Sequence, residues 1–178
     1  MAFSLYDATI PSYRQILGAV AGLLRKAETF CANKGIAPGA IVEARLAEDM
    51  LPFAYQVKST AVHSLGAIEG VRKGIFSPDM TPPPTDFAGL KTRVAQTLTA
   101  LEAVDAAEVN SFIGCHVRFA LPDRQIDFTA EQFLLSVARR ISTSTQPRPT
   151  TFCAGRASQS VSAISWARCA RRGRHAAG

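Results

Sequence analysis

The chain has few of the sequence features that identify enzymes and membrane proteins. Its 178 residues include three His and four Cys, without a CxxC pair or the Cys/His spacing of a zinc site. A Gly-rich phosphate loop, an HExxH phrase and a Ser/His/Asp order are also absent. No run of about 18 apolar residues occurs, and no signal-peptide pattern opens the chain. We therefore expect a cytoplasmic protein with free thiols at Cys31, Cys115, Cys153 and Cys169.

Acidic residues are missing from the last forty positions. Residues 139–178 contain eight Arg and neither Lys, Leu, Asp nor Glu, which gives this tail a net charge of +8. Residues 1–138 hold twelve Lys or Arg against fourteen Asp or Glu, a net charge of −2. The overall charge of +6 therefore comes from the tail, and the tail is the only part expected to bind nucleic acid, through non-specific phosphate contacts.

Two long helices are predicted in the first half of the chain. From residue 6 to about residue 33, apolar residues recur at steps of three and four, so they share one stripe of a helix that ends before Gly35. Pro38 favours the first turn of a short helical piece. The same spacing predicts a second long helix from Glu48 to about Lys73, with the apolar set Leu51, Ala54, Val57, Ala61, Leu65, Ile68 and Val71.

The second half predicts a loop, a third helix, a hairpin and the start of a fourth helix. Residues 74–86 contain four Pro and are predicted to be a loop. A third helix follows, capped by Thr85 or Asp86, and a break is predicted at residues 106–110. The alternation in "CHVRFALPDRQIDF" predicts a β-hairpin around a Pro-Asp turn. Thr129 has capping-box spacing and opens a fourth helix of barely two turns.

Three amphipathic helices that each need a partner predict an all-α four-helix bundle, with a short β-hairpin before a truncated last helix. We assign this bundle domain to residues 1–138, with an incomplete fourth helix, and treat residues 139–178 as a separate Arg-rich tail. The tail has few large apolar residues and two Pro near its start, so it is predicted to be disordered. The exposed bundle stripes should make the protein unstable and prone to aggregation.

Three phrases carry a family resemblance: "SLYDATIPSYRQIL", "ARLAEDMLPFAYQV" and "TDFAGLKTRVAQTLTALEAV". They resemble the bacterial family called domain of unknown function 1993, which is grouped with the DinB/YfiT-like helical bundles. The match covers roughly residues 3–138. It implies a four-helix bundle with a hairpin before the last helix, the arrangement that the periodicity predicts independently.

Members of the family continue the fourth helix where this chain begins its Arg-rich tail. Removing one base just after the codon for Ala138 converts a family-like coding sequence into one for Arg-Arg-Ile-Ser-Thr, as found here. From Ile141 to Ala167, the neighbouring frame allows a family-like residue at every position, and the non-degenerate Trp166 codon requires Gly there. We therefore interpret residues 139–178 as translated out of frame.

The resemblance implies a divalent metal in intact relatives, because DinB-like bundles often hold zinc, nickel or iron through His residues that project from their helices, but this chain offers one such ligand and not three, so we do not predict a metal site in it. His63, on the second helix, is the one candidate ligand in a bundle-facing place. The His of a family "FYFH" phrase corresponds to Thr145 here, while His116 falls on the hairpin and His175 in the tail. The ordinary interpretation of His63 is a partly buried histidine.

A polar cluster at the start of the second helix is the candidate ligand pocket. Asp49 and Gln56 are seven residues apart, so on one helix they would share a face that looks into the bundle. The ordinary interpretation assigns Glu48 and Asp49 to the positive end of the helix dipole, with Arg45 as their ion-pair partner.

Two functions remain open from the sequence. The first is a small-molecule-binding or interaction module, homodimeric through its helix faces. The alternative is a metal-dependent transferase or hydrolase, impaired here by loss of the C-terminal segment. Fold analogy alone does not establish a reaction.

Overall fold

A computed structural model of the chain describes residues 3–121 and 124–138. Helix α1 spans Leu5–Lys34, close to the predicted bounds. The side chain of Ser4 caps its first turn, and Gly35 ends it with a positive φ of 65°, a backbone conformation that glycine adopts without strain. The buried stripe consists of Leu5, Thr9, Ile10, Tyr13, Leu17, Val20, Leu24 and Cys31.

The second long helix begins later than predicted and is interrupted by a π-helical turn. After α2 (Pro38–Val42), the chain forms α3 (Phe53–Ala61), a π turn (Val62–Gly66) and α4 (Ala67–Lys73) without a break. The predicted start at Glu48 is wrong because Pro52 is the N-cap residue. The ring of a proline disfavours helical geometry at the residue before it, so Leu51 stays outside the helix, where it is exposed.

The third long helix, α5 (Phe87–Glu102), is capped by Asp86, whose side chain accepts a hydrogen bond from the Gly89 amide at 2.8 Å. The predicted break at residues 106–110 is wrong, because α6 (Ala106–Ser111) occupies it. Asp105 caps this helix by accepting a hydrogen bond from the Glu108 amide. The segment is too short to show the helical periodicity on which the sequence prediction relied.

The predicted hairpin forms, and a third strand joins it. Strands β2 (His116–Ala120) and β3 (Gln125–Thr129) pair antiparallel, with Phe119 opposite Ile126. Strand β1 (Ile75–Phe76) pairs parallel with β2, with Phe76 opposite Phe119. The prediction that all of residues 74–86 form a loop is therefore wrong at its first positions.

The fourth helix starts at the predicted residue. Thr129 and Gln132 form a reciprocal capping box ahead of α7 (Ala130–Gln132), which continues as a π-helical segment (Phe133–Ala138). Phe133 and Leu134 are fully buried, and the Tyr13 hydroxyl donates to the Leu134 carbonyl at 3.0 Å. Phe76, Phe119 and Phe133 lie with ring centroids 5.2–6.2 Å apart and join the sheet to this helix.

These elements form the predicted helical bundle, with the small sheet at one end. Helix α1 packs against α3, α5 and the fourth helix, and the core lies between them. Among the described residues, no helix combines the length and hydropathy needed to cross a membrane. The Pro-Asp turn at 122–123, the tail at 139–178 and the reading-frame hypothesis for it lie outside the described residues.

Candidate functional site

Asp49 and Gln56 do not share a helix face. Asp49 lies exposed in the turn before α3, whereas Gln56 lies in the first part of α3. The Gln56 amide donates to the carbonyl of Leu51 at 3.1 Å and so ties the turn to the helix. The shared-face inference is wrong because it assumed that the helix starts at Glu48.

Arg45 is not the predicted ion-pair partner of Glu48 and Asp49. Its guanidinium donates to the Met50 carbonyl at 2.9 Å, and no ion pair joins it to either acid in the part of the chain that the structure describes. Both acids precede the first turn of α3, so they are not at the helix end to which the prediction assigned them. The hydrogen bonds of Arg45 and Gln56 thus hold the turn before α3, and their partners are backbone carbonyls.

His63 lies in the π turn and is 8% exposed. Its Nδ1 is 2.8 Å from the Ser59 carbonyl oxygen and 3.2 Å from the Ser59 hydroxyl. A carbonyl only accepts, so Nδ1 carries the proton, and Nε2 is an acceptor in the neutral ring. Burial lowers the pKa of His63 and outweighs the opposing hydrogen bond to Ser59, so the ring is neutral at physiological pH.

The described residues hold two imidazoles, those of His63 and His116, but no ligand set for a metal ion. They contain no group of three or more His, Cys, Asp or Glu side chains close enough to hold one. His116 is exposed on β2, and the two described cysteines are free, Cys31 buried and Cys115 exposed. Thr145 and His175 lie outside the described residues. The described part of the chain therefore does not fit the zinc, nickel or iron site that the resemblance implies for intact relatives.

A cleft of about 520 Å³ lies between the π turn and α4 on one side and α5 on the other. Ser77 and Asp79, from the loop after β1, also line it. Both apolar and charged side chains line the cleft. The apolar lining is Ala61, Val62, Leu65, Ile75, Phe76 and Ala100, and the charged or amide lining is Glu69, Lys73, Asp79, Arg93 and Gln96.

A buried lysine holds the loop at the end of this cleft. Lys58 on α3 is 1% exposed, and its Nζ lies 3.0 Å from the Asp79 Oδ1. The same Nζ donates to the Asp79 carbonyl at 2.7 Å and to the Thr81 carbonyl. Three acceptors satisfy the three N–H groups of the ammonium, which explains how a charge is tolerated at this depth.

Asp79 connects that lysine to the cleft. Partial burial by itself would raise the pKa of the Asp79 carboxyl. Hydrogen bonds from the Thr81 hydroxyl at 2.6 Å and the Thr81 amide at 2.9 Å, together with Lys58, outweigh the burial and hold that pKa far below its ordinary value. The other carboxylate oxygen accepts from Arg93 Nη2 at 3.1 Å. Asp79 is therefore ionised throughout the physiological range.

Gly70 lets strand β1 approach α4. A Cβ placed on Gly70 would lie 2.8 Å from the Phe76 Cβ and 3.3 Å from the Ile75 carbonyl oxygen, closer than packed atoms tolerate. The absent side chain thus admits Phe76 to the end of the cleft. Phe76 also packs on His63, with ring centroids 5.5 Å apart.

The cleft could not be predicted from the sequence because its lining residues come from separate segments. One signal was visible: Lys58 interrupts an otherwise apolar or small run on a helix face, "VKSTAV", and a buried lysine requires a partner. That partner, Asp79, lies 21 residues later in the Pro-rich loop. Sequence spacing alone does not identify this contact.

Comparison with known proteins agrees with the geometry of the bundle. A family model described as domain of unknown function (DUF1993) matches residues 5–139. The fold is similar to that of a DinB family member protein from Shewanella denitrificans, with a TM-score of 0.65 and 18% sequence identity over 88% of this chain and 95% of that one. No curated protein matches the chain. At this identity, the structural likeness shows a common fold.

Proposed function

The chain belongs to the domain of unknown function DUF1993 family and has a DinB-like fold, and from that premise we propose that it is a small-molecule-binding protein. The ligand site is the cleft between α5 and the pair formed by the π turn and α4. One observation carries the proposal: the lining of this cleft combines apolar side chains with charged groups that hydrogen bonds already hold in place.

The size and position of the cleft fit a small ligand. Its volume of about 520 Å³ falls within the range of about 300–1,000 Å³ found for small-molecule sites, which often lie between the helices of bundles. The π turn Val62–Gly66 forms part of one wall, and single π-helical turns within helices are frequent at functional sites.

The polar part of the cleft is organised before a ligand arrives. Asp79 receives hydrogen bonds from Thr81, Lys58 and Arg93, so binding would not have to order its side chain. Arg93 lies on α5, and its guanidinium is oriented by Asp79. Affinity rises when such groups are ordered in the free protein, because less conformational entropy is lost on binding.

A screen of small organic molecules against the full chain, read by amide chemical shifts, tests the proposal. Binding molecules should shift the resonances of residues that line the cleft. Ala100→Phe fills the cleft and should abolish those shifts, whereas Ala95→Phe, on the exposed face of the same helix, should preserve them. Ligands that bind elsewhere, or that bind Ala100→Phe unchanged, would refute the proposal.

A metal-dependent transferase or hydrolase is the second candidate. The observation in its favour is the orientation of His63, because a ring nitrogen held by a backbone carbonyl fixes the tautomer that metal-ligating histidines use. Elemental analysis of the purified protein tests it. Stoichiometric zinc, nickel or iron that His63→Gln removes would favour this candidate, and metal-free protein would favour the binding module.

Several expectations remain proposals. A homodimer through the helix faces can be tested by light scattering, and the cytoplasmic location by fractionation. Instability and aggregation can be tested by thermal unfolding. A frameshift after Ala138 can be tested by resequencing the gene, where a coding sequence without a family-like reading in the neighbouring frame would end the idea.

A further inference from the structure

The charges around Asp79, beside the cleft, do not balance. Lys58, Asp79 and Arg93 form one chain of contacts, with 3.0 Å from the lysine to the carboxylate and 3.1 Å from the carboxylate to the guanidinium. Two cations share one anion, so the group of three has a net charge of +1. Lys58 is buried behind the loop, whereas Arg93 is 37% exposed and lines the cleft. The positive charge available to a ligand is therefore that of Arg93.

The hydrogen bonds of Asp79 explain why it leaves Arg93 available. Its Oδ1 accepts from the Thr81 amide, the Thr81 hydroxyl and Lys58, and its Oδ2 accepts one N–H of Arg93. A guanidinium has five N–H groups in a planar fork. Among the described residues, the Arg93 side chain makes a hydrogen bond to Asp79 alone, so the other N–H groups can bind a ligand.

The charged residues on α4, across the cleft from Arg93, do not change the preference for a negatively charged ligand. Glu69 and Lys73 on α4 line the cleft one helical turn apart and balance each other in charge. A cationic ligand would compete for Asp79 with donors that already surround the carboxylate, and among the described residues that line the cleft Glu69 is the one other acid. An anion would meet an oriented guanidinium, and Arg is suited to the planar, two-point binding of carboxylates and phosphates.

We propose that the ligand of this cleft is a small organic anion, with its carboxylate or phosphate bound by Arg93 and its apolar part packed against Ala61, Leu65 and Ala100. The inference rests on the proposed function of the cleft and specifies its ligand class. Asp79 and Lys58 act as positioning residues, since Asp79 orients the guanidinium and Lys58 neutralises Asp79 from behind.

Four probes with the same six-carbon chain test the ligand class on the full chain: hexanoate, hexyl phosphate, hexylammonium and hexanol. We expect the anions to bind more tightly than the other two, with shifts at the cleft residues. Hexanoate and hexyl phosphate distinguish a carboxylate ligand from a phosphate ligand. Added NaCl should weaken the binding of the anions and leave that of hexanol nearly unchanged.

Arg93→Gln should weaken anion binding about tenfold or more, the scale of a lost charge-assisted contact, and leave hexanol binding unchanged. Arg93→Lys keeps the positive charge but lacks the planar fork of N–H groups, so its affinity for the anions should lie between those of the parent protein and of Arg93→Gln. Arg118→Gln is the matched control, because Arg118 also pairs with an aspartate, Asp127 at 2.8 Å, but on the hairpin. Thermal unfolding of each variant identifies any loss of affinity that comes from unfolding.

The outcomes separate the ligand class from the site itself. Equal binding of all four probes at the cleft, unaffected by Arg93→Gln in a folded protein, would overturn the anion inference and leave the proposed function standing. Tighter binding of hexylammonium would do the same. Shifts that fall outside the cleft for every probe, or no binding by any of them, would overturn the inference together with the proposed function.

Discussion

Replacing Lys58 by Met tests whether the buried ammonium holds the Pro-rich loop against the bundle. The substitution keeps a long unbranched side chain in the space that the lysine stem fills, and it removes the charge and all three hydrogen bonds. Asp79 loses one of its two cationic partners, and the carbonyls of Asp79 and Thr81 lose a donor.

The magnitude follows from the burial of the two partners. Removing one member of a buried ion pair typically costs about 3–5 kcal/mol, because the other charge is left without compensation. Asp79 is 26% exposed and keeps its bonds to Thr81 and Arg93, so water and these groups offset part of that cost. We therefore expect Lys58→Met to lower the free energy of unfolding by about 2–3 kcal/mol.

Urea unfolding followed by circular dichroism measures this change through the transition midpoint and slope. Lys91→Met is the matched control, because Lys91 also lies 2.9 Å from a carboxylate, that of Glu28, but is 38% exposed. An exposed ion pair contributes about 0–1 kcal/mol to stability, so the free energy of unfolding of Lys91→Met should be close to that of the parent protein. An equal loss of unfolding free energy in the two variants would refute the argument that the Lys58 contact stabilises the protein because it is buried.

Three further predictions concern packing, pH and the tail. Gly70→Ala should destabilise the protein by about 1–3 kcal/mol, because its methyl group would overlap Phe76, as measured by thermal unfolding. Stability should fall as the pH drops below about 6.5, because burial lowers the pKa of His63 and the unfolded chain then binds more protons than the native one. His63→Gln should remove this part of the acid response, as measured by thermal unfolding at several pH values. Replacing the eight Arg of residues 139–178 by Gln should abolish salt-dependent binding to non-specific DNA.

Each of these predictions has a control. Gly18 is exposed in α1, and the space that a Cβ would occupy there is open, so Gly18→Ala should stabilise by about 0.5–1 kcal/mol, and a loss there would contradict the steric reasoning. His116→Gln changes an exposed histidine and should keep the acid response. DNA affinity that survives the loss of the tail arginines would place the binding surface on the bundle.

Much of the fold could be predicted from sequence because helices and caps depend on residues close together in the chain. The stripe of α1 follows from side chains at steps of three and four, and its end from Gly35. Thr129 was placed correctly at the start of its helix, and the cap of α5 was narrowed to Thr85 or Asp86, of which the structure has Asp86, since a cap acts within one turn. The hairpin was visible in the alternation of its two strands.

Errors arose where local signals conflict or are short. Pro52 moved the start of α3 from Glu48 to Phe53 and so separated Asp49 from Gln56. The two residues of β1 are too few to show alternation, and they form a strand because Gly70 and β2 lie beside them. The position of His63 on the second helix was predicted, but its π-helical geometry was not.

The sequence by itself determined where the helices and the hairpin form, because each depends on hydrogen bonds and side-chain spacing within one segment. Only the tertiary structure decided which polar groups meet: Lys58 and Asp79 lie 21 residues apart, and Arg93 reaches Asp79 from another helix. Burial, ionisation and the shape of the cleft depend on how whole segments pack, since the stability of a charge is set by the atoms that surround it in space.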